Sequence, residues 1–257
     1  MQLNRTAVKR KSQELVKVSA PKTLYAGLII LALGMLISFL SARMMGINVS
    51  DSDLLQYAKY IQDGNTEYAL QVLESVQPPA SAVIINIALQ IISSVVSVGF
   101  VIFLMNVIRN SGACLGNLLD GFGIFFRILW LDILQSLFIF LWSMLFVVPG
   151  IIAAYRYRMA VYIMIDNPDM SAMNCIRESK KMMKNHKAEL FMFDLSFFGW
   201  YLLASIPYLG YVVQVWTIPY INMSFALYYE ALKNMPIDAQ YSEIPGDSNN
   251  QVPPAQG

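Results

Sequence analysis

Four charged residues stand inside otherwise apolar stretches: Asp132, Asp194, Arg156 and Arg158. A charge in a hydrocarbon environment costs a few kcal/mol on insertion scales, so each of them needs a partner or a task. Asp132 and Asp194 each fall about four residues from one end of an apolar run, roughly 6 Å deep on the same side at 1.5 Å per residue. Arg158 lies about seven residues, roughly 10 Å, from that side, and its long side chain can reach either aspartate. Arg156 points elsewhere on the same helix. Three chemistries suit such a set: an interhelical ion pair that fixes packing, a proton- or ion-coupled relay, and capture of a lipid headgroup by Arg156 and Arg158 beside Tyr155, Tyr157 and Tyr162.

Polar stripes accompany the charges. Asn86, Gln90, Ser94 and Ser97 recur at helical spacing, as do Asp132, Ser136 and Ser143, and again Asp194, Tyr201 and Ser205. Such faces are expected to turn inward, as packing contacts or as a substrate path. Trp130, Trp142, Trp200 and Trp216 suit the membrane interface or packing. Enzyme templates do not fit. There is no His-Glu-x-x-His, no Gly-x-Ser-x-Gly, no phosphate loop followed by Lys and no Cys-x-x-Cys. Cys114, Cys175 and the single His186 are too few for a structural metal site, so no metal or other cofactor is expected, and His186 reads as a solvated side chain.

These residues need long apolar helices to hold them. Of 257 residues 56% are hydrophobic and 14% charged, against about a quarter charged in soluble domains. Ala80 to Ile108 contains no charge at all, and a bilayer crossing takes about 20 residues. The expected fold is all-α, a polytopic membrane helix bundle with about six transmembrane helices plus interfacial amphipathic helices. Residues 1–23 form a basic cytoplasmic interfacial helix, with a signal peptide as the alternative. The membrane domain covers 24–233, with spans at 24–42, 81–107, 128–148, 151–165, 190–206 and 211–232. Pro149-Gly150 should break the third span, Pro207 and Gly210 should turn the fifth into the sixth, and Pro219 should kink the sixth. Residues 44–79 form an acidic external loop of two short helices parted by Asp63-Gly64-Asn65, and 234–257 a disordered cytoplasmic tail.

Between the fourth and fifth spans, Asn167 caps a helix beginning at Pro168 and running to 187. Ala172, Ile176 and Met183 make its apolar side, and Arg177, Lys180, Lys181, Lys184 and Lys187 a cationic side for anionic headgroups. The positive-inside rule puts the N-terminus, the 109–127 loop, this helix and the C-terminus in the cytoplasm, and the protein in the cell membrane. A re-entrant 151–165 would strand the basic 166–189 segment outside, which argues that it crosses.

From Asp120 to Glu230 the chain resembles the bacterial integral membrane family known as domain of unknown function 975. The resemblance rests on Val148-Pro149-Gly150-Ile151-Ile152, Tyr155, Tyr157, Asp166-Asn167-Pro168, Glu178-Ser179, Met182-Met183, His186-Lys187 with Glu189-Leu190-Phe191, Asp194-Leu195-Ser196-Phe197-Phe198-Gly199-Trp200, Pro219-Tyr220 and Tyr229-Glu230. The Asn4-Arg5 start is similar too. Asn185 stands where the family usually has Gly, which weakens a helix end there. The resemblance implies a multi-span helical membrane protein of Gram-positive bacteria without an established activity. More distantly the architecture is similar to membrane domains of glycerophosphodiester phosphodiesterases, a pointer toward lipids.

The expected function is a non-enzymatic scaffold or accessory factor of a cell-envelope process, whose cationic cytoplasmic surface faces anionic lipid or a membrane protein partner. Nucleic acid is not an expected partner. The alternatives are a small transporter or exporter of a lipid-like or amphiphilic substrate and, third, an intramembrane lipid enzyme.

Overall fold

The computed structural model describes residues 5–45, 51–65, 67, 78–206 and 208–235. Among these the chain is helical: α1 (Arg5–Val18), α2 (Lys22–Met45), α3 (Asp51–Gln62), α4 (Ala80–Arg109), a 3-10 helix (Leu115–Ile124), α5 (Phe125–Leu145), α6 (Val147–Tyr157), α7 (Ala160–Asp166), α8 (Ala172–Met182), α9 (Lys187–Leu195), α10 (Phe198–Ala204) and α11 (Leu209–Lys233). Three segments are long and apolar enough to cross a membrane: Lys22–Met44, Ala80–Arg109 and Leu115–Leu145. At 1.5 Å per residue α4 is about 45 Å long, beyond the roughly 30 Å hydrocarbon layer.

α2, α4 and α11 pack on one another, and α1 lies along α11. Phe100, Phe103, Leu104, Met223 and Leu227 fill the space between them, together with Val16 of α1. The second unit is the α5–α6 hairpin, backed by α8, with α9 beside α6. Large side chains exposed on α2, α5, the 146–152 turn and α10 form an apolar outer surface, including Phe39, Phe140, Phe146 and Phe198. Exposed apolar residues in this number, on helices long enough to cross a bilayer, suit a membrane environment.

Several expected boundaries move. The 109–127 stretch, expected as a loop, contains the 3-10 helix, which runs against α4 at close backbone contact. A Cβ on Gly99 would lie 2.0 Å from the Leu118 carbonyl oxygen, and one on Gly121 2.3 Å from that of Val95, so both positions require glycine. The break after the third span falls at Phe146, whose backbone is extended, and not at Pro149-Gly150. Pro149 sits in the first turn of α6, where its missing N–H leaves no hydrogen bond unmade. Gly150 serves packing: a Cβ there would overlap the Ser143 side chain of α5.

The expected spans 151–165 and 190–206 are each two helices, interrupted at Arg158-Met159 and at Ser196-Phe197. At the second interruption the Ser196 hydroxyl donates to the Phe193 carbonyl, and the Phe197 N–H donates to the Asp194 carbonyl, a 3-10 tightening. α8 begins at Ala172 and not at Pro168. Ser171 is its cap, accepting from the Asn174 N–H, while Asn167 donates to the Ile163 carbonyl and closes α7. After α8 the chain turns at Asn185, with φ +68°, a left-handed conformation that asparagine tolerates better than most residues. α11 continues through Pro219, which packs against Gly27 of α2. The turn after α3 has the expected form, the Asn65 N–H bonding back to the Tyr60 carbonyl. The second expected helix of the 44–79 loop, Pro207 and the 236–257 tail lie outside the described residues.

Candidate functional site

Asp194, on the last turn of α9, gathers the expected arginine. Arg158 Nη1 lies 3.6 Å from Asp194 Oδ2, the Tyr155 hydroxyl donates to the same oxygen at 2.9 Å, and the Tyr201 hydroxyl donates to Oδ1 at 3.2 Å. The Arg158 guanidinium also stands 4.2 Å from the centre of the Phe225 ring. The charged pair therefore joins the two interrupted helices at their interruptions. Arg156 takes no part through its side chain. Its carbonyl accepts the Ser179 hydroxyl at 2.7 Å and pins α8 to α6.

Asp132 has a different fate. It accepts a short hydrogen bond from the Ser94 hydroxyl, and among the described residues no cation pairs with it. Ser94 lies fifteen residues before Arg109, about 22 Å along α4, so Asp132 stands near the middle of α4 and not about 6 Å from its Arg109 end. The 3-10 helix causes the change, because it carries the chain inward before α5 begins. Asn86, Gln90, Ser94, Asp132 and Ser136 line one groove of about 540 Å³ between α4 and α5, walled by Ile87, Ile91, Ile128 and Ile133. The groove opens sideways, with Gln90 and Ser136 exposed, so these stripes do not turn wholly inward. Ser97 is not part of it and bonds to the Ser93 carbonyl of its own helix. Ser205 likewise bonds back to the Leu202 carbonyl.

The basic helix α8 is packed in protein on its apolar side. Ala172, Ile176 and Met183 are buried in the main core, so that side is not available to lipid. Arg177, Lys181 and Lys184 are exposed, with Lys181 bonded to Glu178 at 2.7 Å. Lys180 departs from the expected cationic side, its ammonium lying 5.4 Å from the Tyr157 ring and 5.8 Å from the Phe138 ring. Lys187 and Asn185 rim a pocket of about 420 Å³ walled by Ile151, Ile152, Tyr155 and Phe191. α1 is also docked: Ser12 Oγ lies 2.7 Å from Ser224 Oγ, and the Lys9 ammonium donates to the Ser196 carbonyl at 3.0 Å over the Phe197 ring. Burial, and then the charge of Arg5, lowers the Lys9 pKa from the ordinary lysine value.

His186 is not solvated. Its Nδ1 is 2.9 Å from Glu189 Oε2, and both side chains are about seven-eighths buried. Of the other motif residues, Trp200 packs edge-on to Tyr220, which is buried and bonded to Gln13, and Pro168 lies in the turn after α7. Gly199 has open space around its Cβ position, and nothing in the structure explains a glycine there.

One polar cluster escaped the sequence reading. Arg109 places two guanidinium nitrogens on Asp166, at 2.8 and 3.0 Å, and its Nε on Glu230 at 2.7 Å. Lys233 and the Tyr229 hydroxyl reach Asp166 Oδ2 at 2.6 and 2.7 Å. Burial, the largest influence, raises the Asp166 pKa, but the hydrogen bonds from Arg109, Lys233 and Tyr229 together outweigh it and hold the group below the usual carboxylate value. The signal was present: Arg109, Asp166 and Glu230 with Lys233 each close an apolar run on the side assigned to the cytoplasm. The Asn110 backbone, left-handed at φ 53°, ends α4 and fixes Arg109 in place.

No curated protein and no solved structure matches the chain, so the similarity to phosphodiesterase membrane domains gains no support. A family model does match, over residues 144–235, which contain the Asp194–Arg158 pair, Asp166, α8 and His186. The 120–143 stretch and the N-terminal helix fall outside that match. That model is the one described as protein of unknown function (DUF975), and the match covers 92 of the 257 residues.

Proposed function

We propose that this chain is a six-crossing protein of the bacterial cell membrane, with both ends cytoplasmic, acting as a non-enzymatic scaffold or accessory factor that presents a cationic surface to anionic lipid. The topology reading draws on the Arg109–Asp166–Glu230 cluster, which brings the ends of α4, α7 and α11 together. Six crossings put these three ends on one side, whereas a re-entrant 151–165 would separate Asp166 from Arg109. Read through their interruptions, 147–166 and 187–204 are about 30 and 27 Å long, close to a hydrocarbon thickness.

The observation that carries the lipid-facing role is the docking of α8. Buried Ile176 and Ser179 hold it while Arg177, Lys181 and Lys184 stay exposed. Lys187 and Asn185 at the mouth of an apolar pocket suit an anionic headgroup whose chain lies against Ile151 and Phe191. Each basic residue near an anionic surface contributes about 1 kcal/mol. Replacing Arg177, Lys181, Lys184 and Lys187 together by Gln should weaken binding of the detergent-purified protein to phosphatidylglycerol vesicles by at least about tenfold, and unchanged binding would overturn the reading. A second reading, export of an amphiphile, draws on the Asp132 groove. Liposome flux lost in Asp132→Asn would support it, and flux indifferent to that change would remove it.

A further inference from the structure

The α4–α5 groove holds a chemical imbalance that the lipid-facing role does not use. Five polar side chains from two helices converge there, and the only ionisable one, Asp132, faces no cation among the described residues. The Ser94 hydroxyl supplies one hydrogen bond, which leaves most of the carboxylate's accepting capacity open. Near the middle of an apolar helix a lone carboxylate is costly, and a cationic partner removes much of that cost. The rest of the lining is aliphatic: Ile87, Ile91, Ile128 and Ile133. A volume of about 540 Å³ falls in the range of small-molecule sites. The groove's exposed residues Ile87, Gln90 and Ser136 lie well inside the two helices, so in a bilayer it would open toward lipid.

We infer that this groove binds an amphiphile carrying one protonated amine, the ammonium pairing with Asp132, the Asn86 and Gln90 amides hydrogen-bonding beside it, and the alkyl chain lying on the isoleucines. The contrast with Asp194 supports the assignment. There Arg158 supplies the cation from within the chain, together with two tyrosine hydroxyls. At Asp132 the corresponding place is open space.

The probe is radiolabelled dodecylamine, with dodecanol as the neutral competitor of equal chain length, added to full-length protein in phosphatidylcholine nanodiscs. Saturable binding is expected, reduced at least about tenfold in Asp132→Asn, which keeps the shape and a hydrogen bond to Ser94 but removes the charge. Dodecanol should displace the amine poorly. Ile133→Trp, which fills the groove and leaves the carboxylate, should reduce binding to a similar degree. Equal competition by dodecanol would mean apolar filling alone and would overturn the assignment, as would undiminished binding in either variant. The competition on the unmutated protein decides the matter even if a variant fails to fold.

Discussion

Asp132 and Asp194 look alike in the sequence, each an acid a few residues inside an apolar run with a serine or tyrosine on the same helical face. In the folded chain Asp194 is held by Arg158, Tyr155 and Tyr201, where two interrupted helices meet. Asp132 has, among the described residues, Ser94 alone and borders an open groove. One carboxylate is part of the protein's own packing and the other is left to something outside it. The lesson is that a buried charge announces a need, and only the neighbouring helix shows whether the chain meets that need itself.

The widest test of this contrast is Asp194→Ala. It leaves a partly exposed Arg158 and two tyrosine hydroxyls without their acceptor, and leaving such polar groups unsatisfied typically costs about 1–3 kcal/mol. Thermal unfolding in detergent should show a marked loss, mostly recovered when Arg158→Met is added, in a double-mutant cycle. A double variant no better than the single would mean that Asp194 acts through something other than Arg158.

The Asp166 cluster extends the comparison to the ends of α4, α7 and α11. Because the folded-state pKa of Asp166 is depressed, its contribution is present in full above the unfolded value of about 4 and is lost as pH falls through the folded value. Unfolding followed from pH 7 downward should therefore show a loss of stability linked to Asp166 only below pH about 4, and Asp166→Asn should flatten that part of the curve. A linked loss near pH 6 would contradict the sign.

Gly150→Val tests whether the hairpin that carries Tyr155 and Arg158 depends on close packing. Overlap with Ser143 should destabilise by about 1–3 kcal/mol, as overpacking does, and Ser143→Ala in the same chain should relieve part of it. The smallest effect belongs to Asp132→Asn, expected to change stability by less than about 1 kcal/mol because no internal ion pair is broken. A loss as large as that of Asp194→Ala would erase the distinction between the two aspartates.

The Arg158–Asp194 pair was within reach of the sequence because depth alone brought the two residues to similar levels. The position of Asp132 was not. Leu115–Ile124 reads as a loop with glycines at 116, 121 and 123, and only its contact with α4 through Gly99 and Gly121 makes it part of a crossing. Lys180 was legible as a cation on an amphipathic helix, but its turn toward Tyr157 depends on where the α5–α6 hairpin stands. The buried side of α8 was legible too, though not that protein and not lipid covers it.

By itself the sequence determined the helical character, the long apolar segments, the basic and acidic ends and the set of charges that need partners, since these follow from composition and from a period of 3.6 residues along one chain. Tertiary structure alone decided which charge meets which: Arg158 with Asp194, Arg109 with Asp166 and Glu230, and, among the described residues, nothing but Ser94 with Asp132. Periodicity specifies the face of a helix and its depth, whereas a partner is set by the rotation and tilt of a second helix, which depend on packing between residues far apart in the chain.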